Sequence, residues 1–105
     1  MSAAVVMDPV IERARRPARR RVDALLEELG KLLEAKPVDK SMVSGAWDAV
    51  EMEYEALKLL DQQAREFLLN ADAAEEVEDK EFREANGYFL KFRAMHFRVN
   101  SLFEA

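Results

Sequence analysis

The sequence predicts one all-α domain, an antiparallel three-helix bundle built on a long helical hairpin with coiled-coil-like packing. Apolar residues recur at spacings of three and four over three long stretches, which is the pattern of amphipathic helices. The breaks between these stretches are short and contain proline or small polar residues. Half of the 105 residues are hydrophobic, 35% are charged and only three are glycine, as is typical of an ordered helical chain.

The first helix is expected over residues 17–35, after a basic leader of residues 1–16 that is flexible or partly helical. Proline is tolerated in the first turn of a helix but not in its interior, so Pro17 is placed at the start. Pro37 ends the helix, because the residue before a proline avoids the α conformation. The apolar stripe of this helix consists of Val22, Leu25, Leu26, Leu29, Leu32 and Leu33.

The second helix is expected over residues 39–70, with Asp39 or Ser41 as its N-cap. Its apolar stripe is close to a heptad pattern, which favours packing against a parallel or antiparallel helix. The stripe consists of Val43, Ala46, Trp47, Val50, Tyr54, Leu57, Leu60, Ala64, Phe67 and Leu68.

The third helix is expected over residues 73–103, with Asp72 as its cap and a helix that continues through Asn86 and Gly87. The short link before it favours a helix antiparallel to the second, whereas a continuous helix through residues 70–73 would give an elongated, swapped dimer. Acidic residues dominate its first half and basic residues its second, which complements the helix dipole. Its core seam is predicted to be Phe82, Ala85, Phe89, Phe92, His96, Val99 and Phe103, widened by Tyr88, Met95 and Leu102.

Few residues offer chemistry. There is no cysteine, and His96 is the only histidine, so we interpret it as a packing residue instead of a metal ligand or general base. We expect no enzymatic activity, no cofactor, no metal and no small-molecule substrate. The stretch from Arg19 to Lys36 resembles the opening helix of the all-α chorismate mutases, but the later helices lack the matching charged placements.

The charge is uneven, with nine Lys and Arg against seven Asp and Glu in residues 1–40, and seven against fourteen in residues 41–105. An arginine run consists of Arg13, Arg15, Arg16, Arg19, Arg20 and Arg21. It is either a solvated helix start or a contact for nucleic acid or an acidic partner. We favour the first, because the acidic remainder repels phosphate.

Phe97 falls outside the predicted seam, beside Lys91 and Arg93. It either forms part of a second contact surface or packs on the first helix. The chain has no apolar run of signal-peptide or membrane-span length, so we expect a cytoplasmic protein without a membrane partner.

Three segments together resemble the helical domain of unknown function in the Gag region of BEL/Pao-type LTR retrotransposons and its host-captured relatives. They are RARRPARRRVDALLEELGKLLE, WDAVEMEYEALKLLDQQAREFLLN and EDKEFREANGYFLKFRA, and the likeness spans roughly residues 13–100. The resemblance implies a non-catalytic role in Gag-like assembly or in binding a protein partner, including another copy of the chain. The alternative is a nucleic-acid-binding domain that uses the arginine run.

Overall fold

The computed structural model describes residues 5–104 as three α-helices joined by short loops: α1, Pro9–Glu34; α2, Lys40–Asn70; and α3, Glu75–Phe103. Successive helices run antiparallel and form a bundle that measures 61 × 21 × 16 Å. The predicted all-α bundle is confirmed, and the described residues contain no strand. None of these helices holds a segment long and apolar enough to cross a membrane.

The first helix starts earlier than predicted. It begins at Pro9 and continues without a break through Pro17. Asp8 caps it, since its side chain accepts a hydrogen bond of 2.9 Å from the backbone N–H two residues later. Residues 9–16 are therefore helical, as one of the two alternatives for the leader allowed, but they are part of α1, and residues 1–4 of that predicted leader lie outside the described residues.

The predicted start of the first helix at Pro17 was wrong for a physical reason. An interior proline removes one helical hydrogen bond and costs about 3 kcal/mol in isolation. Here the helix is stabilised on both sides of Pro17, because Arg15 and Ala18 are buried in contacts with the other helices. Tertiary packing therefore overrides the local preference for a break.

The second helix agrees with its prediction at both ends. Asp39 is the N-cap and accepts a hydrogen bond of 3.1 Å from the backbone N–H of Met42. α1 and α2 form the closest helix pair, whereas the sequence had suggested that α2 and α3 would form the main hairpin. The core is lined by Ala18, Val22, Leu26 and Leu29 of α1, by Val43, Trp47, Val50 and Leu57 of α2, and by Val99 of α3.

The turn before α3 differs from the prediction. Asp72 does not cap the helix but adopts a φ of 52° in the loop, a left-handed conformation that aspartate tolerates better than most residues. The helix starts at Glu75 after Ala74, which provides no side-chain cap. It then continues through Asn86 and Gly87 as predicted.

The predicted seam of α3 is only partly the packed face. Phe82, Phe89 and Phe103 are 59%, 45% and 47% exposed, so the expectation that they form the core is wrong. The predictions for Phe92 and Val99 of the seam, and for Tyr88, Met95 and Leu102 beside it, are confirmed, since these residues pack on the core. Because Phe92 stacks on two aromatic rings of α2, α3 is rotated away from the predicted orientation and its other phenylalanines turn outward.

Candidate interaction surfaces

A layer of charged residues joins the three helices near one end of the bundle. Arg15 of α1, Asp61 of α2 and Glu81 of α3 are 2%, 7% and 6% exposed. The guanidinium of Arg15 donates to both carboxylate oxygens of Glu81, with Nη2 at 3.0 Å from Oε2, and its Nη1 lies 3.4 Å from Asp61 Oδ1. This fork-to-fork pairing ties α3 to α1 in one orientation. We call these three residues the charged layer.

Arg19 extends the charged layer toward solvent. Its two terminal nitrogens lie 3.4 Å from Asp61 Oδ1 and 3.3 Å from Glu84 Oε2. Glu12 adds a further carboxylate, 3.1 Å from Arg15. Two guanidinium groups are thus shared among four carboxylates, so the cluster has an excess of negative charge.

The excess of negative charge in the cluster affects the pKa values of Asp61 and Arg15. Burial raises the pKa of Asp61, and the neighbouring charge of Glu81 adds to the effect, although Arg19 and Arg15 oppose it. For Arg15, burial acts to lower the pKa, but the hydrogen bond and charge of Glu81 together with Glu12 and Asp61 outweigh it, and the pKa is raised. Arg15 is therefore a permanent cation at this position.

Stacked rings attach the other half of α3 to α2. The ring centroids of Trp47 and Phe92 are 5.0 Å apart, those of Tyr54 and Phe92 are 4.2 Å apart, and those of Trp47 and His96 are 4.8 Å apart. Offset stacks of this kind contribute about 0.5–1.5 kcal/mol each beyond their burial. His96 therefore lies where the sequence placed it, as a packing residue on an aromatic face.

Polar contacts complete the attachment of α3 to α1. The hydroxyl of Tyr88 donates to Asp23 Oδ2 at 2.9 Å, and Lys91 Nζ lies 3.3 Å from Asp23 Oδ1. Burial, followed by the hydrogen bond to Asp23, raises the pKa of Tyr88. The phenol therefore remains a donor throughout the neutral range. These polar contacts act together with Met95 and Val99, which pack on the core that α1 lines.

Apolar side chains remain uncovered on the opposite side of α3. We call them the outer stripe, and they are Phe82, Phe89, Leu90 and Phe97. At 3.6 residues per turn they lie within about 100° of the helix circumference. Phe97 is 74% exposed, so of its two sequence interpretations the structure excludes packing on α1.

A groove between α2 and α3 borders the outer stripe. Its volume is about 300 Å³, and it is open to solvent along its length. Its apolar lining includes Leu59 of α2 and Phe82 and Phe89 of α3, and its charged lining includes Lys58 and Arg65. Phe82 and Phe89 belong to both the groove and the outer stripe, so the two surfaces adjoin.

The arginine run is divided by the fold. Arg15 is buried and Arg19 is paired, so neither can serve as a surface contact for nucleic acid. Arg21 is exposed but lies 3.0 Å from Glu53 of α2. The remaining members are exposed on one side of α1 at spacings of three and four and form no ion pair within residues 5–104. They are Arg13, Arg16 and Arg20.

The charged layer was missed by the sequence interpretation, although the sequence contains a signal for it. Asp61 stands in phase with Leu57, Ala64 and Leu68, so a carboxylate occupies a heptad position that otherwise takes apolar residues. A buried charge at such a position requires a partner from another helix. Within the part of the chain that the structure describes, no cluster of histidine and acidic residues is arranged to hold a metal ion.

Compared with protein-family models, with curated proteins and with solved structures, the chain matches none of them. No residue roles can therefore be transferred from a relative, and the function is inferred from the surfaces described above.

Proposed function

We propose that this chain is a non-catalytic protein–protein interaction domain that self-assembles through the outer stripe and the adjoining groove. The observation that supports the proposal is the exposure of Phe82, Phe89 and Phe97 on one side of α3. A contiguous apolar surface on a folded domain is typical of a binding site. Aromatic residues are also enriched in protein interfaces relative to the rest of the surface.

Burial of the exposed phenylalanine side chains supplies the free energy for this association. Burying a phenylalanine side chain contributes about 1.5–3 kcal/mol, and the bundle leaves several of them without a partner. α3 packs on α1 and α2 by one side only, so a helix laid along its other side would cover the outer stripe and contact Leu59 in the groove. Helix-in-groove binding of this kind uses anchors spaced by three, four and seven residues.

We further propose a Gag-like context for this assembly. The support is the sequence resemblance over residues 13–100, which covers all three helices. A Gag-like protein requires domains that associate with copies of themselves. An exposed aromatic helix face is consistent with that requirement.

A second candidate function is nucleic-acid binding by Arg13, Arg16 and Arg20. These three side chains are exposed, lie on one face of α1 and have no ion-pair partner in residues 5–104. The acidic character of residues 41–105 opposes such binding. A complex driven by phosphate contacts weakens steeply as salt is added, which distinguishes it from apolar self-assembly.

Light scattering across a concentration series, at low and high salt, tests self-assembly. We expect the mass to rise from that of the 12.1 kDa chain to a multiple of it, with little dependence on salt. Phe97→Lys should shift the association to at least tenfold higher concentration, because it places a charge in the interface. Val10→Lys is the matched control, since Val10 is 75% exposed on α1 and Phe97 is 74% exposed on α3.

A monomer at all concentrations would contradict self-assembly. Equal association of the two lysine variants would exclude the outer stripe as the interface. Circular dichroism should show that both variants keep the helix content of the wild-type chain, so that a loss of association is not a loss of fold. The addition of a mixed-sequence oligonucleotide at low and high salt tests the second candidate in the same instrument.

A further inference from the structure

We infer that the outer stripe binds the outer stripe of a second copy, with the two α3 helices antiparallel about a two-fold axis between Phe89 and Leu90. This inference rests on the proposed function and specifies its geometry. The occupant is identified by two properties of α3, the spacing of its exposed apolar residues and the distribution of its charges. Each property independently favours an identical, antiparallel partner.

The first property is a symmetric spacing. Phe82 lies seven residues before Phe89, and Phe97 lies seven residues after Leu90. When the helix is reversed about the midpoint of residues 89 and 90, Phe82 is exchanged with Phe97 and Phe89 with Leu90. A two-fold interface requires this kind of self-complementary surface, because each residue must meet a residue that meets it in return.

In this register every exposed apolar residue of the stripe meets another apolar residue. Phe82 faces Phe97 of the second copy, and Phe89 faces Leu90 of the second copy. The polar residues between them are paired as well, since Asn86 faces Arg93. A shift by one heptad in one direction would place Phe97 opposite Glu75, which leaves the most exposed phenylalanine against a carboxylate. A shift in the other direction would place Phe82 opposite Glu104 and the two copies of Arg93 opposite each other.

The second property is the division of charge along α3. Residues 75–86 carry six acidic and two basic side chains, whereas residues 87–103 carry three basic and no acidic side chains. Antiparallel helices place the acidic half of one copy beside the basic half of the other. A parallel pair would place like charges side by side, which is unfavourable. In the antiparallel arrangement the two helix dipoles also point in opposite directions, which is favourable.

Cysteine cross-linking tests this geometry, because the chain has no cysteine of its own. Asp79 and Asn100 are exposed on the same side as the outer stripe, and in the inferred register each faces the other across the interface. An equimolar mixture of Asp79→Cys and Asn100→Cys chains should form a disulfide-linked dimer on mild oxidation. Both substitutions leave every apolar residue of the stripe in place.

Each single variant is its own control. In the inferred pair, two copies of residue 79 are separated by 21 residues along the axis, or about 32 Å, far beyond the reach of a disulfide. We therefore expect at least tenfold more cross-linked dimer in the mixture than in either single variant. Cross-linking of Asp79→Cys alone would indicate parallel helices and would overturn the inference.

A mixture of Asp79→Cys and Arg93→Cys provides the control for register, since these residues face each other only after a shift by one heptad. Preferential cross-linking in this mixture would overturn the inferred register. Light scattering on the same samples separates the two proposals. A dimer that does not cross-link between residues 79 and 100 contradicts this geometry alone, whereas a monomer at every concentration contradicts the proposed function as well.

Discussion

The α1–α2 pair and α3 are held in the bundle by different kinds of contact. α1 and α2 bury aliphatic side chains against each other, and several of these, including Val22, Leu29 and Leu57, are fully inaccessible to solvent. α3 contributes only Val99 and Glu81 to the buried residues. Besides the partly buried residues that pack on the core, it is attached by stacked rings on its α2 side and by hydrogen-bonded charges on its α1 side.

Because of this difference, the residues that stabilise the fold are not the residues that form its exposed apolar surface. Aliphatic packing between α1 and α2 does not require α3 to be apolar all round, so the outward phenylalanines of α3 contribute little to the isolated chain. They are left exposed to solvent in the isolated chain. A helix that is apolar on two sides but packed on one is typical of a protein that completes its core by association.

The largest effect should come from Arg15→Met, which removes the central cation of the charged layer between α1 and α3. The buried carboxylates of Glu81 and Asp61 would then keep only Arg19, at 3.7 Å and 3.4 Å, and removing one partner of a buried ion pair typically costs about 3–5 kcal/mol. The free energy of unfolding, measured by urea denaturation, should fall by this amount. A loss below about 1 kcal/mol would show that the charged layer is hydrated and does not restrain α3.

The control for this prediction replaces the whole layer. A variant with Arg15→Met, Asp61→Leu and Glu81→Leu together leaves no unpaired charge at the centre of the cluster. Apolar replacement of a complete buried ionic group is often neutral or stabilising. We therefore expect the triple variant to be more stable than Arg15→Met alone, although it carries two further substitutions.

Two alanine substitutions, with an intermediate expected effect on stability, compare the α1–α2 pair with α3. Leu57→Ala should cost about 2–5 kcal/mol, because Leu57 is fully buried between the helices. Phe89→Ala should cost less than about 1 kcal/mol in the monomer, because Phe89 is 45% exposed. Urea denaturation at a concentration below that of self-association measures both. Equal losses would mean that α3 packs as tightly as the α1–α2 pair.

The smallest effect concerns pH and tests the electrostatics of the charged layer. Because the folded-state pKa of Asp61 lies above its ordinary value of 3.8, the folded protein binds this proton more tightly than the unfolded chain. The contribution of Asp61 to stability is therefore fully present below pH 3.8 and is lost as the pH rises through its folded-state pKa.

Asp61→Asn removes this titration while it keeps the size of the side chain. The difference in free energy of unfolding between the wild-type chain and Asp61→Asn should shift in favour of the wild-type chain as the pH falls through that window. Urea denaturation at a series of pH values gives this difference. A shift in the opposite direction would mean that Arg15 and Arg19 outweigh burial at this carboxyl.

Much of the fold could be predicted from periodicity and capping. The bounds of α2 follow from Asp39 and the length of its apolar stripe, and the end of α1 follows from Pro37. The start of α1 could not be predicted from local rules, because burial of Arg15 and Ala18 stabilises the helix on both sides of Pro17. That stabilisation depends on residues more than forty positions away.

The surfaces were harder to predict than the helices. Heptad phase alone does not determine which side of α3 packs, because apolar residues cover more than half of its circumference. The side of α3 that packs is determined by Phe92, which stacks on Trp47 and Tyr54 of α2. The arginine run likewise appears uniform in sequence, but its members alternate between the interior and solvent once α1 is continuous.

The charged layer also restricts how this protein can change over generations. Arg15, Asp61 and Glu81 belong to three different helices, and Arg15 is paired with both carboxylates, so the loss of any one of them removes a partner from a buried charge on another helix. The bundle accepts either the complete ionic cluster or its complete apolar replacement at this position. The single variants that lie between the two are less stable than either. Descendants of this chain should therefore retain all three residues or replace them together.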